Sequence, residues 1–310
     1  MTEDDVLDPE TLYTVESEPG PARSGVLLHA LQGFVDAGSA TRLAADHLLT
    51  ELESRLVATF DADQLVDYRS RRPTMVYDRD HYSSYQEPRL QLHAVTDASG
   101  QEFLLLTGPE PDTQWERFVA AMRQLVERFE VRTTVALHAI PMAVPHTRPI
   151  GVIGHANRPE LVPATDGWSG TVQIPGSAAA LLELRLGEHG HDAIGFVAQV
   201  PHYLAETPYP DAAAVLLDRV SGTTGLTLPT GALQAAAAET REAIGEQVRG
   251  SEEVARVVRA LEEQYDAYVG GRSRTSLLAS EGRALPSADE LGAEVEQFLA
   301  EQRGDGTPPA

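Results

Sequence analysis

The feature that most constrains this chain is the alternation of short apolar runs with longer segments of helical periodicity. VLLHAL (26–31), TTVALHAI (133–140) and AIGFVAQV (193–200) are aliphatic runs of the length expected for buried strands. Between such runs lie segments such as 115–129, where apolar residues recur every three or four positions. Strands that alternate with helices predict an α/β fold, with three layers (α/β/α) around a mixed, largely parallel sheet.

One pair of strands is predicted to break the parallel pattern. RLQLHAV (89–95) alternates apolar and polar residues, as a half-exposed strand does. The turn residues SGQ (99–101) connect it to the apolar run FLLLT (103–107). This arrangement predicts an antiparallel hairpin.

Composition divides the chain into four segments. Residues 1–23 are acidic and interrupted by Pro and Gly, which predicts a mobile tail. Residues 24–222 carry the strand and helix pattern and are predicted to form the core domain. Residues 223–302 contain three helical stretches and no strand pattern, which predicts a helical segment packed on the core, and 303–310 predict a flexible tail.

The charge balance narrows the range of partners. Asp and Glu number 47 against 24 basic residues, so the formal net charge is -23. This charge repels nucleic acid and anionic membrane surfaces, and we expect neither as a partner. The sequence has no apolar run long enough to cross a bilayer, and its N-terminus has no apolar signal region. We therefore expect a cytoplasmic protein.

Two residue types are absent, and each absence excludes a class of chemistry. The chain has no Cys, which excludes disulfides, thiolate metal ligands and a cysteine nucleophile. It also has no Lys, which excludes Schiff-base chemistry and a Walker-type phosphate loop. Both genome composition and selection could explain the absence of Cys and Lys. We expect no cofactor.

Polar residues are concentrated in the loops that should follow the strands. In an open parallel sheet, ligands collect at the carboxyl ends of the strands, so these residues are predicted to line one crevice. The candidates for this crevice are Gly33, Asp36, Gly38, Asp61, Asp63, Arg69, Arg71, His138, His146 and His202.

Each candidate also has a structural interpretation. Asp36 precedes a predicted helix and can cap it, although the glycine-containing turn around it could bind an anion. Asp61 and Asp63 have loosely metal-like spacing but lack the Gly and distal Glu of a calcium loop, which favours a solvated or arginine-paired cluster. Arg69 and Arg71 can pair with these aspartates or bind an acidic ligand.

No motif identifies a metal site or a hydrolase. The sequence has no HExxH helix, and we predict no metal site. It also lacks a G-x-S-x-G nucleophile elbow, although a Ser–His–Asp triad assembled by the fold stays open.

Six sequence blocks together resemble a known family. They are LLHALQGFVDAGSA, DYRSRRPTMVYD, FLLLTGPEPDTQWERF, HAIPMAVPHTRP, GHDAIGFVAQVPHYL and LPSADELGAEVEQFLAEQ. Over residues 24–302 the chain resembles the bacterial branch of the proteasome assembly chaperone family, related to the second subunit of the eukaryotic chaperone pair. The function of this branch is not established.

The resemblance implies a phosphorylase/hydrolase-like α/β/α fold, homo-oligomers and protein partners such as proteasome subunits. It implies no catalytic residues. Related chaperones dock through a C-terminal hydrophobic–tyrosine–any-residue motif, whereas this chain ends Pro308, Pro309, Ala310. Docking in that manner is therefore not expected.

Two functional hypotheses follow. The first is a non-enzymatic interaction or assembly factor of the proteasome-chaperone type. The alternative is a phosphorylase- or nucleosidase-like enzyme or small-ligand binder that uses the predicted crevice. There, Asp36 or a neighbouring acid would act as general acid/base, one of the histidines would assist, and the arginine pair would bind an anion.

Overall fold

The centre of the fold is an eight-stranded mixed sheet. The computed structural model describes residues 7–16, 25–33, 35–163 and 171–277. The strands of this sheet are β1 (Tyr13–Val15), β2 (Val26–Gln32), β3 (Ser54–Phe60), β6 (Leu90–Thr96), β7 (Glu102–Pro109), β8 (Thr133–Met142), β9 (Val152–Ala156) and β10 (Asp192–Pro201). A separate two-stranded sheet consists of β4 (Met75–Asp78) and β5 (His81–Tyr85).

The strand order of the large sheet is β1-β3-β6-β7-β2-β8-β10-β9. The central strands β7, β2, β8 and β10 are mutually parallel, while β1, β3, β6 and β9 pair antiparallel with their neighbours. Six consecutive residues of β2 are buried, because helices cover both faces of this central strand. The predicted hairpin of β6 and β7 and the predicted mixed, largely parallel α/β/α architecture are confirmed.

Two helical layers cover the sheet. The helices are α1 (Ala40–Glu51), α2 (Ala62–Leu65), α3 (Trp115–Arg128), α4 (Ala178–Glu188), α5 (Pro210–Thr224), α6 (Gly231–Gly250) and α7 (Glu252–Leu277). Helices α1, α5 and α6 share one apolar core with the sheet, and we call this side the α1/α5 face. Helices α3 and α4 share the other core, on the α3/α4 face.

Part of the predicted N-terminal tail belongs to the fold. β1 pairs with β3 at the edge of the sheet, and Leu12 is completely buried. The buried guanidinium of Arg117 on α3 donates two hydrogen bonds to the carbonyl of Asp8, at 3.1 and 2.9 Å. The prediction of a mobile tail is therefore wrong for residues 9–15, because this acidic segment contains a short strand that pairs with the edge of the sheet.

Several elements were not predicted, among them the β4–β5 hairpin and helix α5. The β4–β5 hairpin carries no residue of either core, and each residue of both strands is exposed. Helix α5 follows a Pro-rich loop and packs against α1 on the α1/α5 face.

The C-terminal region contains two of the three predicted helices. α6 and α7 correspond to the first two, and Leu233 and Ile244 of α6 join the core of the α1/α5 face. The third predicted helix, 287–302, lies outside the described residues. The chain forms two compact units, Met1–Glu262 and Glu263–Ala310, and the sheet lies in the first. Within the described ranges, no helix is long and apolar enough to cross a membrane.

Candidate functional site

The carboxyl ends of five strands meet at one edge of the sheet. β2, β7, β8 and β10 are parallel, and β3 runs in the same direction because two antiparallel pairings separate it from β7. Nine of the ten predicted site residues lie in the loops that follow these strands. The exception is His138, which lies inside β8, within the run TTVALHAI (133–140) that was predicted as a strand. Binding of a ligand at this edge stays a prediction, and the contacts of each residue follow.

Asp36 acts as a helix cap. Its carboxylate accepts hydrogen bonds from the backbone N–H groups of Thr41 (2.8 Å) and Arg42 (3.1 Å) in the first turn of α1. The intervening Gly38 has a φ of 66° and donates its N–H to the carbonyl of Ala205 at 2.7 Å. The structural interpretation of Asp36 is therefore realised, and these three backbone donors are already satisfied within the protein.

Gly33 lies against the buried side chain of Glu110. A Cβ at Gly33 would overlap the Glu110 carboxylate, so a larger residue there would require the Glu110 side chain to move. Glu110 is 4% exposed, and its Oε1 accepts a hydrogen bond from the N–H of Ala179 at 3.1 Å. Ser177 Oγ accepts from the N–H of Ala180 at 3.0 Å. Glu110 therefore links the end of β7 to the beginning of α4, where a negative charge is stabilising.

Asp61 and Asp63 belong to an exposed turn. Asp61 caps the short helix α2 and accepts hydrogen bonds from the N–H of Asp63 (3.1 Å) and from Gln64 Nε2 (2.7 Å). Tyr68 Oη donates to Asp63 Oδ1 at 2.5 Å, and this hydrogen bond raises the pKa of Tyr68. Both carboxylates are thus engaged in local hydrogen bonds.

Each of the two arginines pairs with an aspartate, but not with Asp61 or Asp63, the partners that the sequence suggested. Arg71 contacts Asp112 Oδ1 at 2.5 Å and donates to the carbonyl of Gln32 at 3.0 Å, which connects three loops of the edge. Arg69 is 90% exposed and lies 3.7 Å from Asp67. Asp112 also accepts a hydrogen bond from the N–H of Asp67 at 2.8 Å.

His146 and His202 meet around Tyr203. Tyr203 Oη accepts a hydrogen bond from the N–H of His146 at 2.9 Å and lies 2.7 Å from His146 Nδ1. The rings of Tyr203 and His202 are edge-to-face, with centroids 5.4 Å apart. Burial lowers the pKa of His146 and raises the pKa of Tyr203. Glu262 of α7 contacts the neighbouring Thr147 at 2.5 Å.

His138 belongs to a different group of residues. Its side chain lies on the α3/α4 face, as do those of His29 on β2 and His155 on β9. His29 and His155 were not among the functional candidates predicted from the sequence. Neither VLLHAL nor TTVALHAI alternates apolar and polar residues, so no sequence signal shows that His29 and His138 point to the same face.

The edge is therefore a network of structural hydrogen bonds. Among the residues that the structure describes, no group of three or more His, Asp or Glu side chains could hold a metal ion. These hydrogen bonds fix the loops and the first turns of α1 and α4 relative to the strands.

Solved structures with the same fold include three bacterial proteins. A protein of unknown function from Mycobacterium tuberculosis is 50% identical, with a TM-score of 0.80 over 84% of this chain and 92% of that chain. A protein of unknown function from Corynebacterium glutamicum is 40% identical, with a TM-score of 0.76 over 84% and 98%. A second M. tuberculosis protein, a proteasome-assembly chaperone homologue, is 27% identical, with a TM-score of 0.69 over 75% and 99%.

No curated protein matches the chain at a significant level. The sequence profile of the PAC2 family matches residues 30–248, which include most of the sheet and the helices α1 to α5. Together with the identities to solved relatives, this match establishes the family. The chain belongs to the PAC2 family.

Proposed function

We propose that this protein is a non-enzymatic assembly factor that binds other proteins, including proteasome subunits and copies of itself, in the cytoplasm. Support comes from the family and from the M. tuberculosis relative described as a proteasome-assembly chaperone homologue. The descriptions of the three relatives do not point to the enzyme alternative.

The observation that carries this proposal is the exposed β4–β5 hairpin. A two-stranded ribbon is marginally stable in water unless another layer covers it. The register pairs Met75 with Tyr85 and Tyr77 with Tyr82, so these four side chains share one face. The rings of Tyr77 and Tyr82 are in edge contact, with centroids 5.2 Å apart.

This aromatic face has the composition of a protein-binding surface. Met75, Tyr77, Tyr82 and Tyr85 are 52%, 61%, 68% and 49% exposed. Tyrosine and methionine are enriched in protein interfaces, and the three tyrosines alone offer roughly 350 Å² of accessible surface. A patch of this size on a folded protein is commonly functional.

The experiment compares two hairpin variants in two assays. Sedimentation velocity measures self-association, and affinity capture measures the recovery of 20S proteasome subunits. We expect Y77S/Y82S to weaken self-association at least tenfold, because both central anchors of the face are lost. Val76→Ser is the matched control, since Val76 is 49% exposed on the opposite face of the hairpin.

Three results would contradict the proposal. A wild-type mass of 33.5 kDa at all concentrations would exclude self-association. Complete absence of proteasome subunits from the captured material would exclude that partner. Equal effects of Y77S/Y82S and Val76→Ser would show that the aromatic face is not the binding surface.

A further inference from the structure

Three imidazoles form a row across the α3/α4 face of the sheet. Strand register places His29 of β2 opposite Ala136, His138 of β8 opposite Val197, and His155 of β9 opposite Gly195. Side chains alternate along each strand, so all three point to the same face. We call His29, His138 and His155 the imidazole row.

The inner end of the row contains a buried imidazole nitrogen with no hydrogen-bond partner among the described residues. His29 is 1% exposed, and its Nδ1 has no partner among the described residues. Burial lowers the pKa of His29 to about 3 and that of His138 to about 4, and the other imidazoles of the row lower both further. A buried polar group without a partner is costly, which makes its presence here informative.

The outer end of the row is tied to α4. His155 Nε2 lies 3.0 Å from Glu183 Oε2, and a Cβ at Gly195 would overlap the His155 ring. The ring therefore lies directly over Gly195 of β10. Burial lowers the pKa of His155, but the hydrogen bond and the charge of Glu183 outweigh it and raise the pKa above its usual value.

Helix α4 is the cover of the row. Ala179, Leu182 and Leu186 of α4 belong to the core of the α3/α4 face. A groove of about 660 Å³ separates α4 from the end of β9, and His155, Arg158, Glu183 and Leu184 contribute to its walls. Water therefore reaches the outer end of the row, whereas His138 is half-buried and His29 at the inner end is buried.

The charged groups that face the row are few. His29 faces His138 and His155, and His138 faces His155 and Glu183. His155 itself faces Glu183. Glu183 is thus the acidic group that meets the row from α4, and it compensates the charge of His155 at the outer end.

We propose that the imidazole row makes α4 an acid-sensitive cover, which opens from β8 and β10 on mild acidification and exposes His29 and His138 to water. This conformational device goes beyond the proposed function and does not depend on it.

The direction of this pH dependence follows from proton linkage. The pKa of each inner imidazole is lowered while α4 is closed, so the imidazole binds a proton only after it is exposed. The closed state therefore has its full stability above pH 6.5 and loses stability as the pH falls. His155 acts in the opposite sense, because its raised pKa stabilises the closed state in acid. Between pH 7 and 5, exposure of each inner imidazole raises the opening equilibrium about 25-fold, and of both about 600-fold.

Hydrogen exchange of the full chain tests this proposal. Exchange is measured by mass spectrometry at pH 7 and pH 5 and corrected for the intrinsic rate at each pH. We expect opening in α4 and β8 to increase about 100-fold or more at pH 5, whereas α1 and α5 on the opposite face change much less. Equal corrected exchange at the two pH values, or an equal increase on both faces, would overturn the proposal.

Two variants identify the groups that respond. H29L/H138L removes both inner imidazoles, and we expect its opening in α4 to change less than about fivefold between the two pH values. His202→Gln replaces an exposed histidine at the carboxyl edge and should keep the wild-type response. If H29L/H138L kept the full response, the row would not be the sensor. The wild-type measurement alone decides the proposal if that variant does not fold.

Discussion

The two faces of the sheet differ in the hydrogen bonding of a buried imidazole. On the α1/α5 face, His47 of α1 is 9% exposed and its Nε2 lies 2.7 Å from the carbonyl oxygen of Pro229. On the α3/α4 face, His29 is more deeply buried and its Nδ1 has no partner among the described residues. The buried imidazole of the α1/α5 face therefore has a hydrogen-bond partner, whereas one nitrogen of the imidazole on the α3/α4 face has none among the described residues.

The packing of the two faces differs as well. The α1/α5 face is built from many small residues, and those of the helices include Ala40, Ala44, Ala45, Ala212, Ala213 and Ala214. Small side chains let α1 and α5 approach the sheet and each other closely, which leaves little freedom for local rearrangement. The α3/α4 face uses larger aromatic and aliphatic side chains on α3 and carries the groove beside α4.

The largest effect is expected from truncation of neighbouring leucines on β2. Leu28 is completely buried on the α1/α5 face, and Leu27 is 1% exposed on the α3/α4 face. We expect Leu28→Ala to lower the free energy of unfolding by about 4 kcal/mol and Leu27→Ala by about 2 to 3 kcal/mol. The looser α3/α4 face can partly fill the cavity, and urea unfolding of both variants measures the difference.

The order of these two values is the critical result. If Leu27→Ala were the more destabilising substitution, the contrast in packing between the faces would be wrong. Leu7→Ala is a suitable control, because Leu7 is 66% exposed and should change stability by less than about 0.5 kcal/mol.

A second comparison concerns one glycine on each face. Gly38 has a φ of 66°, and an added Cβ would lie 2.7 Å from the Cβ of the buried Tyr209. Gly195 lies under the half-exposed ring of His155, which can move into the groove. We expect Gly38→Ala to cost about 3 kcal/mol and Gly195→Ala about 1 to 2 kcal/mol in thermal unfolding.

The Gly195→Ala variant has a second readout. Displacement of the ring should break the contact between His155 and Glu183 and lower the pKa of His155, which histidine NMR titration measures. An unchanged pKa would mean that the ring keeps its position and that Gly195 is not required for the row.

The sequence predicted the architecture because the strands are long, apolar and regularly spaced. The loops at the carboxyl edge were also placed correctly, since strand direction follows from the alternation with helices. His138 lies within β8, as the run TTVALHAI (133–140) predicts, and its side chain points to the α3/α4 face and not to the carboxyl edge. The exposed β4–β5 hairpin was missed because its strands carry no buried face, and hydrophobic patterning detects only buried faces.

The contacts within the site could not be predicted, because they depend on which loops meet. The pairing of Arg71 with Asp112 joins residues 41 positions apart, and Glu110 reaches Ala179 over 69 positions. Sequence patterns carry no signal for such pairs. Sequence patterns do carry a signal for local capping, because a cap and its partners are close in the chain. The partners of Asp36 are the N–H groups of Thr41 and Arg42, so its capping role could be proposed from the sequence.

The smallest effect is expected at the helix beginnings, where one carboxylate serves each face. Asp36 accepts two N–H groups of α1, whereas Glu110 accepts one N–H group of α4, whose first turn is also capped by Ser177. We expect Asp36→Ala to cost about 1 to 2 kcal/mol and Asp36→Asn about 0.5 kcal/mol, because Asn retains an acceptor. Glu110→Gln should cost about 0.5 kcal/mol for the same reason. Chemical denaturation at neutral pH measures the free energy of unfolding of all three variants. A larger loss of stability for Glu110→Gln than for Asp36→Ala would contradict the prediction. It would show that α4 depends on its carboxylate more than α1 does.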